Sequence, residues 1–123
     1  MNLLVIVQKH IEAFPLALFQ EQFDKKHYAW LQAEAQKYLL ENKMGKYQDE
    51  IVYLWAVSEY ELAKKSEWYE RLAHYNQALE RIQQMEKMSF TNQRFLQKVS
   101  AVKDKVNTKI EKLTKSSHGL QKN

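Results

Sequence analysis

The chain has no cysteine, one proline and two glycines among its 123 residues. The lack of cysteine excludes disulfides and thiolate-held metals, and it permits a reducing compartment. So little glycine and proline leaves few residues to punctuate tight turns and hairpins, which favours long helices joined by few loops. Two glycines cannot build a phosphate-cradling loop. No apolar run approaches the ~20 residues of a membrane span. The run Leu3-Leu4-Val5-Ile6-Val7 has no basic residue before it and is too short for the core of a signal peptide. The expectation is a soluble, unexported, cytoplasmic protein.

Side chains that could carry chemistry are also sparse. The four histidines, His10, His27, His74 and His118, fall at no metal-ligand spacing relative to one another. Glu70 and His74 are four residues apart on one helix face, a spacing that suits a surface hydrogen bond. Glu59 and Glu61 point to different faces and make a poor acid/base pair. No serine nucleophile has a positioned base. The reading is of a non-catalytic protein with no metal and no cofactor.

What the sequence does hold is helical periodicity. From Lys46 to Met88 there is no Gly or Pro, and apolar residues recur three or four apart: Ile51, Leu54/Trp55, Ser58, Leu62, then Trp68, Leu72, Tyr75, Leu79, Ile82 and Met85. Ser58 is the one polar member of that row. One helix of this length would reach ~65 Å at about 1.5 Å per residue, against a radius of gyration of roughly 14 Å for a domain of this size. A break is expected at Lys64-Lys65-Ser66-Glu67, with Ser66 capping the next helix.

The flanking segments read the same way. Asn2 can cap a helix through about Phe14, with Leu3, Val7, Ile11 and Phe14 on one face. The β-branched run at 5–7 would also allow a short strand, but no second strand exists to pair with it. Pro15 ends or kinks that helix. Leu16 to Lys43 follows, with a stripe of Leu16, Phe19, Phe23, Trp30/Leu31, Ala35 and Tyr38/Leu39, His27 standing in the row, and a bend at Asp24–His27. Gly45 suits a helix C-terminus, and Gln48-Asp49-Glu50 puts acidic character at the next helix start. The pattern stops around Met88–Asn92, where Thr91 is the expected N-cap. It resumes with Phe95/Leu96, Val99, Val102, Val106, Ile110 and Leu113, at coiled-coil-like spacing.

These segments predict an all-α fold, an antiparallel bundle of four to five helices ending in a helical hairpin. A single domain is expected over 1–115, with N-terminal helices in 1–64, the hairpin in 67–115 and a disordered tail over 116–123. Among the aromatics, Trp55, Trp68 and Tyr75 lie on the core stripe and are expected to be buried. Tyr28, Tyr47 and Tyr53 lie off it and suit a surface role.

Charge is unevenly placed. Residues 89–123 carry eight Lys/Arg against Asp104 and Glu111, a net of +6, which leaves a net of −2 on residues 1–88. A basic end on a near-neutral body points to an acidic partner, the alternative being a solvated lysine face that keeps a helix soluble. For single-stranded DNA the candidate residues are Arg94, Lys98, Lys103, Lys109 and Lys112.

Tyr69-Glu70-Arg71-Leu72, Phe95-Leu96-Gln97-Lys98-Val99 and Ile110-Glu111-Lys112-Leu113-Thr114-Lys115, with Gln22-Phe23-Asp24-Lys25 near the start, together resemble elements of the primosomal replication protein PriC family. A single Arg71 stands where that family has a doubled arginine, and lysine largely replaces its other arginines. The resemblance implies a non-catalytic adaptor in replication restart. Such a protein binds the acidic C-terminal tail of single-stranded DNA-binding protein, contacts single-stranded DNA and helps load the replicative helicase. It also implies a tail-binding site of basic residues on the C-terminal helices, here Arg71 and, on the returning helix, Lys105. No membrane partner and no particular oligomeric state are implied. The competing expectation is a helical interaction module, a chaperone or assembly subunit, with no nucleic-acid role.

Overall fold

The computed structural model describes residues 16–41 and 47–121, with side chains through Lys115. The expectations placed on Asn2–Phe14, Pro15, Lys43 and Gly45 lie outside these residues. The described chain is all-α, with five helices and no strand among the described residues. They are α1 (residues 16–24), α2 (Tyr28–Glu41), α3 (Gln48–Lys65), α4 (Arg71–Glu86) and α5 (Gln93–Gln121). The backbone of α5 stays helical to Gln121, past the Ser116 at which composition points to disorder. Extending an established helix fixes only one more residue per added hydrogen bond.

α1 and α2 form a short hairpin. The His27 amide donates to the Gln22 carbonyl and the Lys26 amide to the Phe23 carbonyl, a paired closure of the helix end. Lys26 takes the left-handed conformation there, with φ of 63°, a position usually filled by glycine. The expected bend is thus a full reversal. It turns His27 outward to the Gln22 side chain instead of into the apolar row. Phe19 then packs against Trp30 and Tyr38 across the hairpin, at centroid distances of 5.3 and 5.9 Å.

α3 is the helix on which α2, α4 and α5 all pack. Ile51, Val52, Leu54, Ala56, Ser58, Glu59 and Ala63 are all buried, so the helix is enclosed on most of its circumference. Direction follows from who meets whom. Gln32 reaches Glu59 and Lys65 lies over the Tyr28 ring, so α2 runs antiparallel to α3. Arg81 reaches Glu59 while Tyr60 meets Tyr75, so α4 is antiparallel as well. Asp49 meets Asn92 and Tyr53 meets Phe95, so α5 runs parallel to α3 and antiparallel to α4. Tyr75, Ala78, Ile82 and Met85 of α4 and Val99, Val102 and Val106 of α5 fill the core between them. This is the aliphatic seam that the spacing predicts.

The break in the long periodic stretch falls where the polar run predicts, but Ser66 works in the opposite sense. It closes α3, its hydroxyl and its amide both donating to the Ala63 carbonyl, and Glu70 occupies the N-cap of α4. The five-residue turn resets the helical phase, and Trp68, expected in the core, is 77% exposed. Tyr28 differs the other way: assigned a surface role, it is buried at the start of α2, in edge contact with Phe23. At the α4–α5 turn the cap is Asn92, one residue later than Thr91: its side-chain oxygen accepts from the Arg94 amide.

Four polar side chains are buried in α3, and three of them, Gln48, Asp49 and Glu59, tie it to its neighbours. Ser58 donates to the Leu54 carbonyl of its own helix and so needs no outside partner. Asp49 accepts from the Thr91 and Asn92 amides at 3.1 and 2.6 Å, while Gln48 donates to the Ser89 carbonyl, so the first turn of α3 fastens the α4–α5 turn. Glu59 is 3% exposed. It accepts from Gln32 of α2, Trp55 of its own helix and Arg81 of α4 at distances between 2.9 and 3.1 Å.

Removing the Asp49 carboxylate leaves two helix-start amides without their charged acceptor. Asp49→Ala should therefore lower unfolding free energy by about 2 kcal/mol, whereas Ser58→Ala, whose hydroxyl satisfies only its own helix, should leave the denaturant midpoint nearly unchanged. Chemical denaturation of both variants checks the contrast. Burial pushes the Tyr75 phenol above its ordinary value of 10.0, the Tyr60 ring adding to the shift and Arg71 and Lys64 opposing it. The unfolded chain then loses this proton at lower pH than the folded one. The associated stability is fully present below pH ~10 and should fall as pH rises past it. Denaturant melts across that range, run beside Tyr75→Phe, should show the loss in the native sequence and a smaller one in the variant.

Candidate acidic-partner interface

α5 supplies the densest positive charge among the described residues. Arg94, Lys98, Lys105, Lys109 and Lys112 follow one another by four, seven, four and three residues, so they stay on one flank of the helix. Their flank spans ~27 Å at about 1.5 Å per residue. The buried Val99, Val102 and Val106 face inward beside it, and Asp104 and Glu111 fall on a different, outward face. None of the five cations pairs with a carboxylate among the described residues.

At the start of the flank, the Lys98 ammonium lies 5.4 Å from the centroid of Tyr53 and 4.8 Å from that of Phe95, and those two rings contact each other edge to face at 6.3 Å. The flank therefore borders α3. Tyr53 is half-buried under Lys98, packed against the core, and Tyr47 is packed there too; neither offers a free ring. Lys103, grouped with the DNA-binding candidates by sequence, stands apart. It lies on the other flank of α5, where its ammonium pairs with Glu86 of α4 at 3.0 Å, and Ser100 donates to the same carboxylate oxygen. Lys105, assigned by resemblance to tail binding, instead stands within the unpaired flank.

The same Glu86 contacts set the register of the C-terminal hairpin. With Glu86 level with Ser100–Lys103, Arg71 lies level with about residue 116 and Lys105 with about residue 82–83. The two are separated along the bundle by roughly 16 Å. They do not converge on one groove. Arg71 is also engaged locally: its Nε and Nη2 donate to the Ser66 carbonyl at 3.3 and 3.0 Å, clasping the end of α3 to the start of α4.

Two clefts open elsewhere. An apolar one of about 550 Å³ is lined by Leu39, Leu40, Trp55, Met85 and Met88 where α2, α3 and α4 meet. A polar one of about 490 Å³ lies over Glu59, with Gln32, Lys65, His74, Gln77 and Arg81 around it. Donors from three helices occupy both Glu59 oxygens, so this carboxylate braces the bundle. His74 Nε2 lies 3.9 Å from Glu70 Oε2 on the surface, close but beyond the distance of the hydrogen bond that their spacing suits. Among the described residues no group of three His, Cys, Asp or Glu side chains could hold a metal ion, and no helix is long and apolar enough to cross a membrane.

No family model, curated protein or solved structure matches this chain.

The distinct surroundings of Arg71 and Lys105 predict distinct responses. Arg71→Ala opens the clasp on Ser66 and should cost about 1 kcal/mol of stability. Lys105→Ala, at an exposed lysine without a carboxylate partner among the described residues, should leave the thermal midpoint where it is. Parallel thermal melts test this, and equal shifts in both variants would count against the clasp.

Proposed function

We propose that the protein is a non-catalytic helical adaptor that binds single-stranded DNA along the α5 flank of Arg94, Lys98, Lys105, Lys109 and Lys112. The observation that carries this reading is a row of five cations left without carboxylate partners among the described residues, while Lys103 on the opposite flank of the same helix is paired. A line of unpaired cations on a rigid helix is complementary to a polyanion, whose condensed counterions it releases on binding. A flexible strand can follow such a row without the groove fit that a duplex requires.

The acidic C-terminal tail of single-stranded DNA-binding protein is a second anion of the right charge, and Lys105 is the residue on this flank that the PriC resemblance assigns to it. The separation of Arg71 from Lys105 supports tail contact at one of them at a time. A part in loading the replicative helicase, and in replication restart as a whole, rests on the resemblance alone. The apolar cleft at Leu39, Leu40 and Met88 favours a second reading, a helical interaction module that seats a partner helix.

Binding of a single-stranded oligonucleotide should weaken as salt is raised, with a slope of log affinity against log salt of about −2 to −4, since only some of the five cations meet phosphates at once. Lys105→Glu with Lys109→Glu should lower affinity and flatten that slope. Lys103→Glu, on the other flank, should change DNA binding far less. Fluorescence anisotropy across a salt series measures all three. Equal losses from the two flanks would argue for a diffuse charge effect, and no binding at low salt would leave the helix-partner reading.

A further inference from the structure

Trp68 is 77% exposed, its neighbour Tyr69 is 66% exposed, and Leu72 one turn on is 38% exposed. The two rings touch edge to face, with centroids 5.7 Å apart and planes at 89°, so each holds the other's orientation while most of the indole stays open to solvent. They sit in the turn between α3 and α4. By the register that Glu86 sets, Trp68 lies level with about residue 119 of α5, roughly 6 Å along the axis beyond Lys115 and roughly 10 Å beyond Lys112. Both lysines are exposed, and neither pairs with a carboxylate among the described residues. The row of cations on α5 thus runs toward the end of the bundle at which the aromatic pair stands.

We propose that Trp68 and Tyr69 form a stacking platform for the bases of a single-stranded nucleic acid whose phosphates lie along α5. The proposal rests on the phosphate-binding reading of the α5 flank and adds the element that recognises bases. An aromatic face stacks on any base, so the platform serves a single strand of any sequence and excludes a duplex, whose bases are already stacked. The local charge fits this division of labour. Glu67 and Glu70 share the turn with the rings, Glu70 near His74, and Arg71 is held by the Ser66 carbonyl. The turn therefore offers rings without a free cation, and the phosphates are held by α5.

The test compares two labelled oligomers of equal length, oligothymidylate and an abasic sugar-phosphate strand, titrated against the full chain at low salt and read by fluorescence anisotropy. The native chain should prefer the base-bearing strand by about tenfold. Trp68→Ala should bind both strands equally, with an unchanged salt slope, and Trp68→Phe should keep part of the preference. Far-ultraviolet circular dichroism and a thermal melt confirm that each variant is folded, as an exposed side chain allows. Intrinsic tryptophan fluorescence of the native chain should be quenched by oligothymidylate, and that quenching should be lost in Trp68→Phe. Preference for bases that survives in Trp68→Ala, or a native chain that does not distinguish the strands, would overturn the platform and leave phosphate binding by α5 standing. Failure of the native chain to bind either strand would overturn both. Binding of an acidic peptide that depends on Trp68 while neither oligomer binds would assign the rings to a protein partner instead.

Discussion

One carboxylate in the middle of α3 decides how the helices can be assembled. A helix enclosed by three others has almost no solvent side on which to place polar groups, and a buried charge without partners is strongly destabilising. Glu59 satisfies that constraint only when Gln32, Trp55 and Arg81 are all at hand. α2 and α4 must therefore both flank this carboxylate, in one register each. Apolar packing alone would tolerate a shift of one turn along the seam. The carboxylate does not, because such a shift would move Gln32 or Arg81 about 5 Å along the axis and out of reach.

The charge on α5 divides along the same lines. Its α4-facing flank contributes to the bundle through Lys103, Ser100 and Glu86, while its α3-facing flank carries cations that no acid among the described residues neutralises. Folding thus uses few of the helix's positive charges. Repulsion among the rest is tolerable because they are solvated and spaced along the helix, and a polyanion lying across them would relieve it. This asymmetry within a single helix is what motivates the proposed binding of a polyanion.

Much of the fold is legible in the sequence because periodicity is a local property. The stripes Ile51–Ser58, Tyr75–Met85 and Val99–Val106 run through buried positions, though Leu72 on the same stripe is exposed, and the polar run at Lys64–Glu67 marks the break. The errors share one physical origin: phase and register are not local. Extending the α4 stripe backward to Trp68 assumes an unbroken helix, but the turn at 66–70 starts a new phase and leaves the indole outside. His27 fails for the same reason at Lys26. Tyr28 lies off the stripe by spacing and is buried because the reversal folds Phe23 back onto it. Of the site residues, Arg94, Lys98, Lys109 and Lys112 are legible as basic positions of α5, while the grouping of Lys103 with them and the assignment of Lys105 elsewhere do not hold. That Lys103 is occupied, and that Arg71 and Lys105 lie on different levels, depends on where Glu86 meets the returning helix, and side-chain spacing within either helix carries no record of that.

The hydrogen bonds from Thr91 and Asn92 to Asp49 join groups 42 and 43 residues apart in the chain. Neighbouring helices can pair through short loops, but this latch closes only when the start of α3 arrives beside the α4–α5 turn, at the larger entropic cost of a long loop. Two backbone amides at the beginning of α5 thereby become reporters of the whole assembly. In a chain whose local hairpins have formed but have not yet docked, they exchange with water like those of any frayed helix end. In the finished bundle their protection rises and falls with the docking of α3 against α5.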